Sequence, residues 1–284
     1  MSEIALKTMN PIKSPVRSFV LIVFTLSWPF LICGFGWFAS EEDVLARYIF
    51  SCTGMLMVAF SAFIVRVLIE RKGFEDVGWN LGHYKSYLIA LLACFLYGLV
   101  PALIALPFGN LEWDHNITGG ALIVATLSLA GFSVIAGFGE EFGWRGYLLP
   151  RLLTDRRRSR EILVIIGFIW GVWHLPVELS SLLKVGFVGT SSWASVIGLA
   201  LLSGIQMIAA SVALSFVFGA VWLKTRSIFL VSFIHGYFIG FRDAFGILLN
   251  YPPAFRLTRI FILVPIWIVL YRWLEKYEHY EEAS

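Results

Sequence analysis

Charged side chains are scarce in this sequence. Asp, Glu, Lys and Arg make up 14% of the 284 residues, whereas a soluble globular domain carries about 25%. Hydrophobic residues make up 58%, and the mean hydropathy is +0.79. The shortage of charge excludes an ordinary soluble enzyme or binding domain and predicts a protein that resides in a lipid bilayer.

Cysteine and the common hydrolase motifs are also sparse. The three cysteines, Cys33, Cys52 and Cys94, lie inside apolar runs, which argues against a disulfide framework and against a Cys-rich metal site. The sequence contains no His-Glu-x2-His zinc motif and no Gly-x-Ser-x-Gly nucleophile motif. It also lacks a Pro/Ser linker, a low-complexity tract and a convincing internal repeat. We therefore predict one integral membrane domain over residues 1–284.

Apolar runs of about 20 residues recur along the chain, and each is long enough to cross a hydrocarbon core about 30 Å thick. We predict an all-α, polytopic integral membrane bundle with about eight transmembrane helices. The predicted spans are Phe19–Phe38, Tyr48–Ile69, Tyr87–Phe108, Ala121–Phe138 (continuing through Leu149), Ile162–Leu179, Trp193–Leu223, Ile228–Leu249 and Ile260–Leu274. The sixth is long for one crossing, so it either tilts strongly or begins with an interfacial segment.

Basic residues cluster in alternate connections between these spans. They are Lys7, Lys13, Arg17, Arg71, Lys72, Lys85, Arg151, Arg156, Arg157, Arg158, Arg160, Lys224 and Arg226. Because cytoplasmic loops are enriched in Lys and Arg, we place both termini in the cytoplasm, although Arg256 and Arg259 fall on the opposite side. Topology also explains the arginine run, so no nucleic-acid partner is expected. We expect a multi-pass protein of a prokaryotic cell membrane.

Glu140, Glu141 and Arg145 form a Glu-Glu-x3-Arg motif at the end of the fourth apolar run, towards the predicted cytoplasmic face. An ionisable group at the bilayer centre costs about 2.5–3.5 kcal/mol by insertion scales, so such groups usually face a bundle interior or a wet cavity. On a helix, Glu141 and Arg145 share a face, whereas Glu140 is offset from Glu141 by about 100°. We therefore expect the arginine to hold Glu141, and Glu140 to address a cavity.

Two of the five histidines, His174 and His235, lie within predicted spans, where an imidazole is more often functional than in a soluble core. Pro176 follows His174 by two residues and predicts a distorted helix at that point. The small-residue motifs Gly167-x3-Gly171 and Gly236-x3-Gly240 lie beside the two histidines and favour close helix packing.

One carboxylate and two histidines support two kinds of hydrolytic chemistry. In the first, the carboxylate acts as a general base on water, one histidine orients that water or passes its proton, and the other stabilises an oxyanion. In the second, both imidazoles and a glutamate bind Zn²⁺, which lowers the pKa of a bound water to about 7. Both alternatives predict hydrolysis of an acyl bond inside the membrane.

These residues resemble the motifs of a family of intramembrane proteases, called the CPBP or Abi family. That family comprises the type II CAAX prenyl endopeptidases and the bacterial immunity and bacteriocin-processing proteins. The Glu-Glu-x3-Arg motif is its first motif, an aromatic-x3-His pair is its second, and a histidine opens its third. The matching residues are Glu140, Glu141, Arg145, Trp170, His174 and His235, with Trp170 in place of the commoner Phe.

The third motif departs from the family pattern. The family usually has Asn or Asp four residues after the histidine, whereas this sequence has Ile239. A polar group expected to polarise the scissile carbonyl is therefore missing. Asp243 could replace it only if the helix were distorted, and pairing of Asp243 with Arg242 or with solvent is the simpler interpretation. The resemblance covers residues 131–243, which would form the catalytic core.

The resemblance implies an endopeptidase that acts in the bilayer on a peptide or a lipidated protein, prenylated CAAX tails included. It implies that Glu140 activates water with His174 as its partner. It further implies that His235 lies on the oxyanion side, supported by Glu141 and Arg145. Because the family is often described as metalloproteases, Zn²⁺ stays an open alternative. The substrate and the oligomeric state are left undetermined.

Three rival interpretations remain. A catalytically silent scaffold, or an immunity or regulatory protein with the same fold, is the strongest, because the third motif lacks its Asn or Asp. A transporter would use Glu140 and the histidines as a proton relay, but it normally shows repeats and broken helices. An intramembrane aspartyl protease needs two membrane aspartates, and only Asp243 is available.

Overall fold

The computed structural model describes residues 15–37, 44–108, 119–153, 158–179, 192–248 and 260–283. In these ranges the chain is helical, and extended segments pair only at an isolated antiparallel bridge between Trp79 and Ser227. The α-helices are α1 (Pro15–Ile32), α2 (Val44–Ile64), α3 (Tyr84–Ala105), α4 (Gly119–Gly143), α5 (Leu149–Leu153), α6 (Ser159–Trp173), α7 (Trp193–Thr225), α8 (Ile228–Leu248) and α9 (Ile260–Ala283).

Six helical segments are long and apolar enough to cross a membrane, counted over the described residues alone. The predicted all-α polytopic bundle is therefore confirmed. The other two predicted spans fall in α4 and α9, which have 25 and 24 residues. The long sixth span is a single helix, α7, of 33 residues. At 1.5 Å per residue it is about 50 Å long, which exceeds the thickness of the hydrocarbon core. A helix of this length can be accommodated in a bilayer by strong tilting.

Helix α4 packs between α2 and α8, and α8 also packs against α3. Glycines make the contact between α4 and α8 close. A Cβ atom at Gly236 would lie 2.5 Å from the Cα of Val134, and one at Gly240 would lie 2.6 Å from the Cβ of Ala130. The predicted close packing at these two glycines is confirmed. It brings the part of α8 that carries His235 against α4.

Helix α6 packs against α7 through the other pair of glycines. A Cβ atom at Gly167 would lie 2.5 Å from the Cα of Val212, and one at Gly171 would lie 2.6 Å from the Cα of Ile208. The helix ends at Trp173, and a helical segment resumes over residues 175–179. The predicted distortion beside Pro176 is therefore confirmed, because proline has no backbone N–H to continue the ladder.

The chain continues beyond α4 without a break. A π-helical turn, Trp144–Leu148, follows Gly143 and leads directly into α5, as the predicted continuation of the fourth span requires. Such π turns are rare and often occur at functional sites. Gly146 in this turn packs on Val77, since a Cβ atom there would lie 2.9 Å from a Val77 methyl carbon.

Four charged residues lie beside the π turn, and we call Arg66, Glu70, Asp76 and Arg151 the peripheral cluster. Arg151 donates to Glu70 at 2.8 and 2.6 Å and to Asp76 at 2.5 Å, while Arg66 also pairs with Asp76. Burial alone would raise the pKa of the Asp76 carboxyl, but hydrogen bonds from both arginines outweigh that effect and hold its pKa below the ordinary value. The cluster thus joins the π-helical segment Val65–Glu70, which follows α2, to α5.

Candidate functional site

The end of α4 and the π turn carry the Glu-Glu-x3-Arg motif. The Arg145 Nη1 donates to Glu141 Oε1 at 2.9 Å, and both side chains are fully buried. The predicted ion pair is therefore present. Glu140 is 1% exposed and bonds a different partner, as the angular offset between the two glutamates predicts.

His235 joins this ion pair from α8. Its Nδ1 lies 2.7 Å from Glu141 Oε1, so one carboxylate oxygen accepts from both Arg145 and His235. Gly137 makes room for the ring, because a Cβ atom there would lie 3.2 Å from the His235 Cβ. Phe218 stacks on the other side with the ring centroids 5.2 Å apart. The sequence predicted that His235 belongs to the site, but it did not predict its bond to Glu141.

His174 occupies the turn where α6 is interrupted. Its Nδ1 lies 2.9 Å from the carbonyl oxygen of Trp170, one helical turn earlier. Since a carbonyl oxygen can only accept, the His174 Nδ1 carries the proton and donates. The same argument applies to His235 beside the ionised Glu141. In their neutral forms both rings therefore present an unprotonated Nε2 to whatever lies beyond them.

Trp170 connects all parts of the site. Its indole Nε1 donates to Glu140 Oε2 at 2.5 Å, and its ring centroid lies 5.4 Å from that of His174 and 5.7 Å from that of His235. The Arg145 guanidinium lies over the same ring, 4.7 Å from its centroid. Four of the five predicted site residues therefore contact one tryptophan, and the fifth, Glu141, bonds two of those four, Arg145 and His235. The sequence marked Trp170 only as the aromatic residue of a motif, because a hydrogen bond across 30 residues leaves no local pattern.

The site carries one more carboxylate than arginine, and its hydrogen-bonding capacity is only partly used. Within the described part of the chain, Glu141 Oε2 and the Nε and Nη2 of Arg145 have no hydrogen-bond partner. Buried polar atoms are normally paired, and exceptions call for an explanation. Buried charged side chains in fixed positions can stabilise charge that develops in a reaction, because these side chains need to reorient little when the reaction occurs.

The arrangement of the His and Glu side chains bears on the predicted zinc alternative. Among the described residues, no group of three His, Cys, Asp or Glu side chains is placed to hold a metal ion. Histidines that ligate metals do commonly bond a carboxylate or carbonyl through the second nitrogen, as both rings do here. Zinc binding therefore stays a prediction.

The surroundings of the site answer two further predictions. An open apolar groove of about 400 Å³ runs along α3, α4 and α8, and Phe138, Phe229 and Ser232 are among its lining residues. Glu140 does not line it, so this groove is not the cavity that Glu140 was expected to address.

Asp243 lies in the uninterrupted helix α8 and bonds Arg242 at 2.7 and 3.1 Å. The pairing of Asp243 with its neighbour is therefore confirmed.

Comparison with known proteins agrees with the motifs. Residues 122–240 match the family described as type II CAAX prenyl endopeptidase Rce1-like, a range that is less than half of the chain but contains all five predicted site residues. No curated protein matches the chain. The predicted resemblance is confirmed over this range. Together with the apolar helices, it indicates a multi-pass membrane protein that contains a segment similar to this endopeptidase family.

Proposed function

We propose that this protein is an intramembrane endopeptidase that hydrolyses a peptide bond of a membrane-associated substrate. The convergence of Glu140, His174 and His235 around Trp170, beside the buried Glu141–Arg145 pair, is the observation that carries the proposal. The residues come from three elements far apart in sequence. Each has an ionisable side chain, which is energetically unfavourable in the hydrocarbon core of a membrane. The match to the endopeptidase family supports the same conclusion.

In the proposed reaction, Glu140 is the general base. One of its oxygens accepts from Trp170, and the other takes a proton from the water that attacks the scissile carbonyl. His174 is its partner: with Nδ1 bound to the Trp170 carbonyl, Nε2 can accept the water-derived proton from Glu140 and then deliver it to the leaving amine, which restores the Glu140 carboxylate. The peptide bond then breaks, yielding a carboxylic acid and an amine.

The oxyanion forms on the His235 side. When His235 carries a second proton, its Nε2–H can donate to the developing negative charge. Glu141 stabilises that imidazolium through the 2.7 Å bond to Nδ1, and Arg145 holds Glu141 in place. The assembly of carboxylate, imidazole and guanidinium thus supplies the polarising group that Ile239 cannot supply.

The substrate in this proposal is a peptide or lipidated protein held in the bilayer, and a prenylated CAAX-type tail is one such substrate. Residues 131–243 form the catalytic core of a single domain, with the carboxylates towards the cytoplasmic side.

Replacement of Glu140 tests the proposal directly. The Glu140→Ala variant should lose cleavage of membrane-anchored reporter peptides by at least about 10²-fold, the lower range for loss of a general base. His174→Ala should also lose cleavage, since proton delivery to the amine fails. The exposed carboxylate of Glu161 on α6 provides a matched control, and Glu161→Ala should cleave normally. Undiminished cleavage by Glu140→Ala would overturn the protease assignment.

A scaffold that binds a partner without hydrolysis is the second candidate, and one observation favours it. Ile239 lies one turn beyond His235 and offers no hydrogen bond, and Glu140 is 1% exposed in this conformation. The two candidates differ in the same experiment. A scaffold would show no cleavage in the wild type and would keep its cellular phenotype in Glu140→Ala.

A further inference from the structure

We propose that the indole N–H of Trp170 is a positioning group that fixes the Glu140 carboxylate for water activation. The inference rests on the proposed function and adds a residue to its machinery. Trp170 is 3% exposed, and its Nε1 lies 2.5 Å from Glu140 Oε2. A hydrogen bond to an ionised acceptor is about twice as strong as a neutral one, so it can hold a carboxylate in a single orientation.

The backbone around Trp170 explains why the indole is held so firmly. Gly167 and Gly171 flank it on α6 and bring that helix against the backbone of α7. The ring is then enclosed by the Arg145 guanidinium at 4.7 Å and by the ring of Phe218 at 5.9 Å. A large ring with fixed neighbours on two sides keeps its N–H in one direction. The donor is therefore oriented before any substrate arrives.

The bond gives the two Glu140 oxygens different tasks. Oε2 accepts from Trp170, which leaves Oε1 to accept the proton of water. Without the indole donor, the carboxylate could rotate about its last side-chain bond, and a buried negative charge would lose a direct hydrogen bond. The same tryptophan also accepts from His174 Nδ1 through its carbonyl oxygen. One residue thus sets the relative positions of the proposed base and its histidine partner.

Removing the donor while keeping an aromatic ring tests this role. Trp170→Phe should lower kcat by about tenfold, the low end of what a hydrogen bond to a charged group is worth, while KM stays within about twofold. Trp173 is the matched control: it lies on the same helix, is 1% exposed and packs edge-on against His174, but its Nε1 has no partner in the described chain. Trp173→Phe should not produce the same selective loss of kcat.

A spectroscopic measurement tests the bond without relying on activity. In protein labelled with ¹⁵N-tryptophan, the Trp170 indole resonance can be assigned by its disappearance in Trp170→Phe, and that of Trp173 likewise. Glu140→Gln should move the Trp170 proton resonance upfield, because a neutral amide is a weaker acceptor than a carboxylate. The Trp173 resonance should stay in place.

The two measurements separate failure of this inference from failure of the proposed function. If the Trp170 resonance is unaffected by Glu140→Gln, or if Trp170→Phe keeps wild-type kcat, the positioning role is wrong even when the enzyme cleaves normally. If the wild type cleaves nothing while the resonance moves as expected, the hydrogen bond is real and the proposed function is wrong.

Discussion

Arg145 and Arg151 lie close together in sequence but use their guanidinium groups differently. Arg151 is 15% exposed and donates from all three of its nitrogens, to Glu70 and Asp76. Arg145 is fully buried, and of its three nitrogens only Nη1 has a hydrogen-bond partner among the described residues, namely Glu141. The less accessible arginine is therefore the one with more unused donors.

The difference contrasts Arg151 with the arginine of the proposed site, since within the peripheral cluster Arg66 Nη1 also has no hydrogen-bond partner among the described residues. All three guanidinium nitrogens of Arg151 donate hydrogen bonds. Arg151 therefore links α5 to the segment that follows α2 and has no unused donor nitrogen. Arg145 leaves two donors unused in a place where water cannot easily satisfy them, which costs stability. Natural proteins tend to break a rule of packing or pairing at functional sites. The unused capacity near Glu141 and His235 is what a site that must stabilise new charge requires.

The largest effect should come from removing the two arginines in turn. Arg145→Ala leaves one buried carboxylate without its cation and the other without nearby positive charge, so it should lower the free energy of unfolding by about 3–5 kcal/mol. Arg151→Ala should cost roughly 1–2 kcal/mol, because the cluster is nearer to solvent and Asp76 keeps Arg66. Thermal unfolding in one detergent measures both. An equal or larger loss for Arg151→Ala would contradict the comparison.

The sequence predicts the Glu141–Arg145 pair better than it predicts the peripheral cluster. The Glu141–Arg145 pair follows from a spacing of four residues on a helix, and the apolar runs predict where the helices lie. The peripheral cluster joins residues up to 81 positions apart, and the bond between His235 and Glu141 spans 94. Such contacts depend on which helix faces pack together, and no local periodicity records that.

Two other features could not be predicted from the sequence, for related reasons. The π turn at Trp144–Leu148 changes the register of side chains by a fraction of a turn, and its sequence, with Gly146 at the centre, does not distinguish a π turn from other helix irregularities. The hydrogen bond between Trp170 and Glu140 needs α6 and α4 to lie within reach of these two side chains. Gly167 and Gly171 predicted that α6 would pack tightly against some neighbour, but not that this neighbour would be α7.

A smaller effect tests whether the contact between α4 and α8 holds the charged site together. Gly236→Ala would place a methyl group 2.5 Å from the Cα of Val134, where backbone has to move, so it should destabilise the protein by about 1–3 kcal/mol. It should also reduce cleavage, because His235 is the adjacent residue. Gly131→Ala is the control on α4, where a new Cβ would have no neighbour within 4 Å.

Gly131→Ala should be neutral or should stabilise the helix by about 0.5–1 kcal/mol, the usual difference between the two residues inside a helix. Circular dichroism during heating and the reporter assay give the two readouts for both variants. If Gly236→Ala unfolds and cleaves like the wild type, close packing of α8 on α4 is not what holds His235 against Glu141.

The smallest effect concerns the pH dependence of the peripheral cluster. The pKa of Asp76 in the folded protein is below its ordinary value, so its carboxylate stabilises the fold at pH values above that ordinary value. This stabilisation should be lost as the pH falls through the folded pKa, because the proton then binds in both states. Asp76→Asn removes the titrating group, so its Tm should be lower than that of the wild type near neutral pH and approach it at low pH. A Tm difference that stays constant with pH would mean that the Asp76 carboxylate acts through packing alone, and its ion pairs in the peripheral cluster would then not contribute to stability.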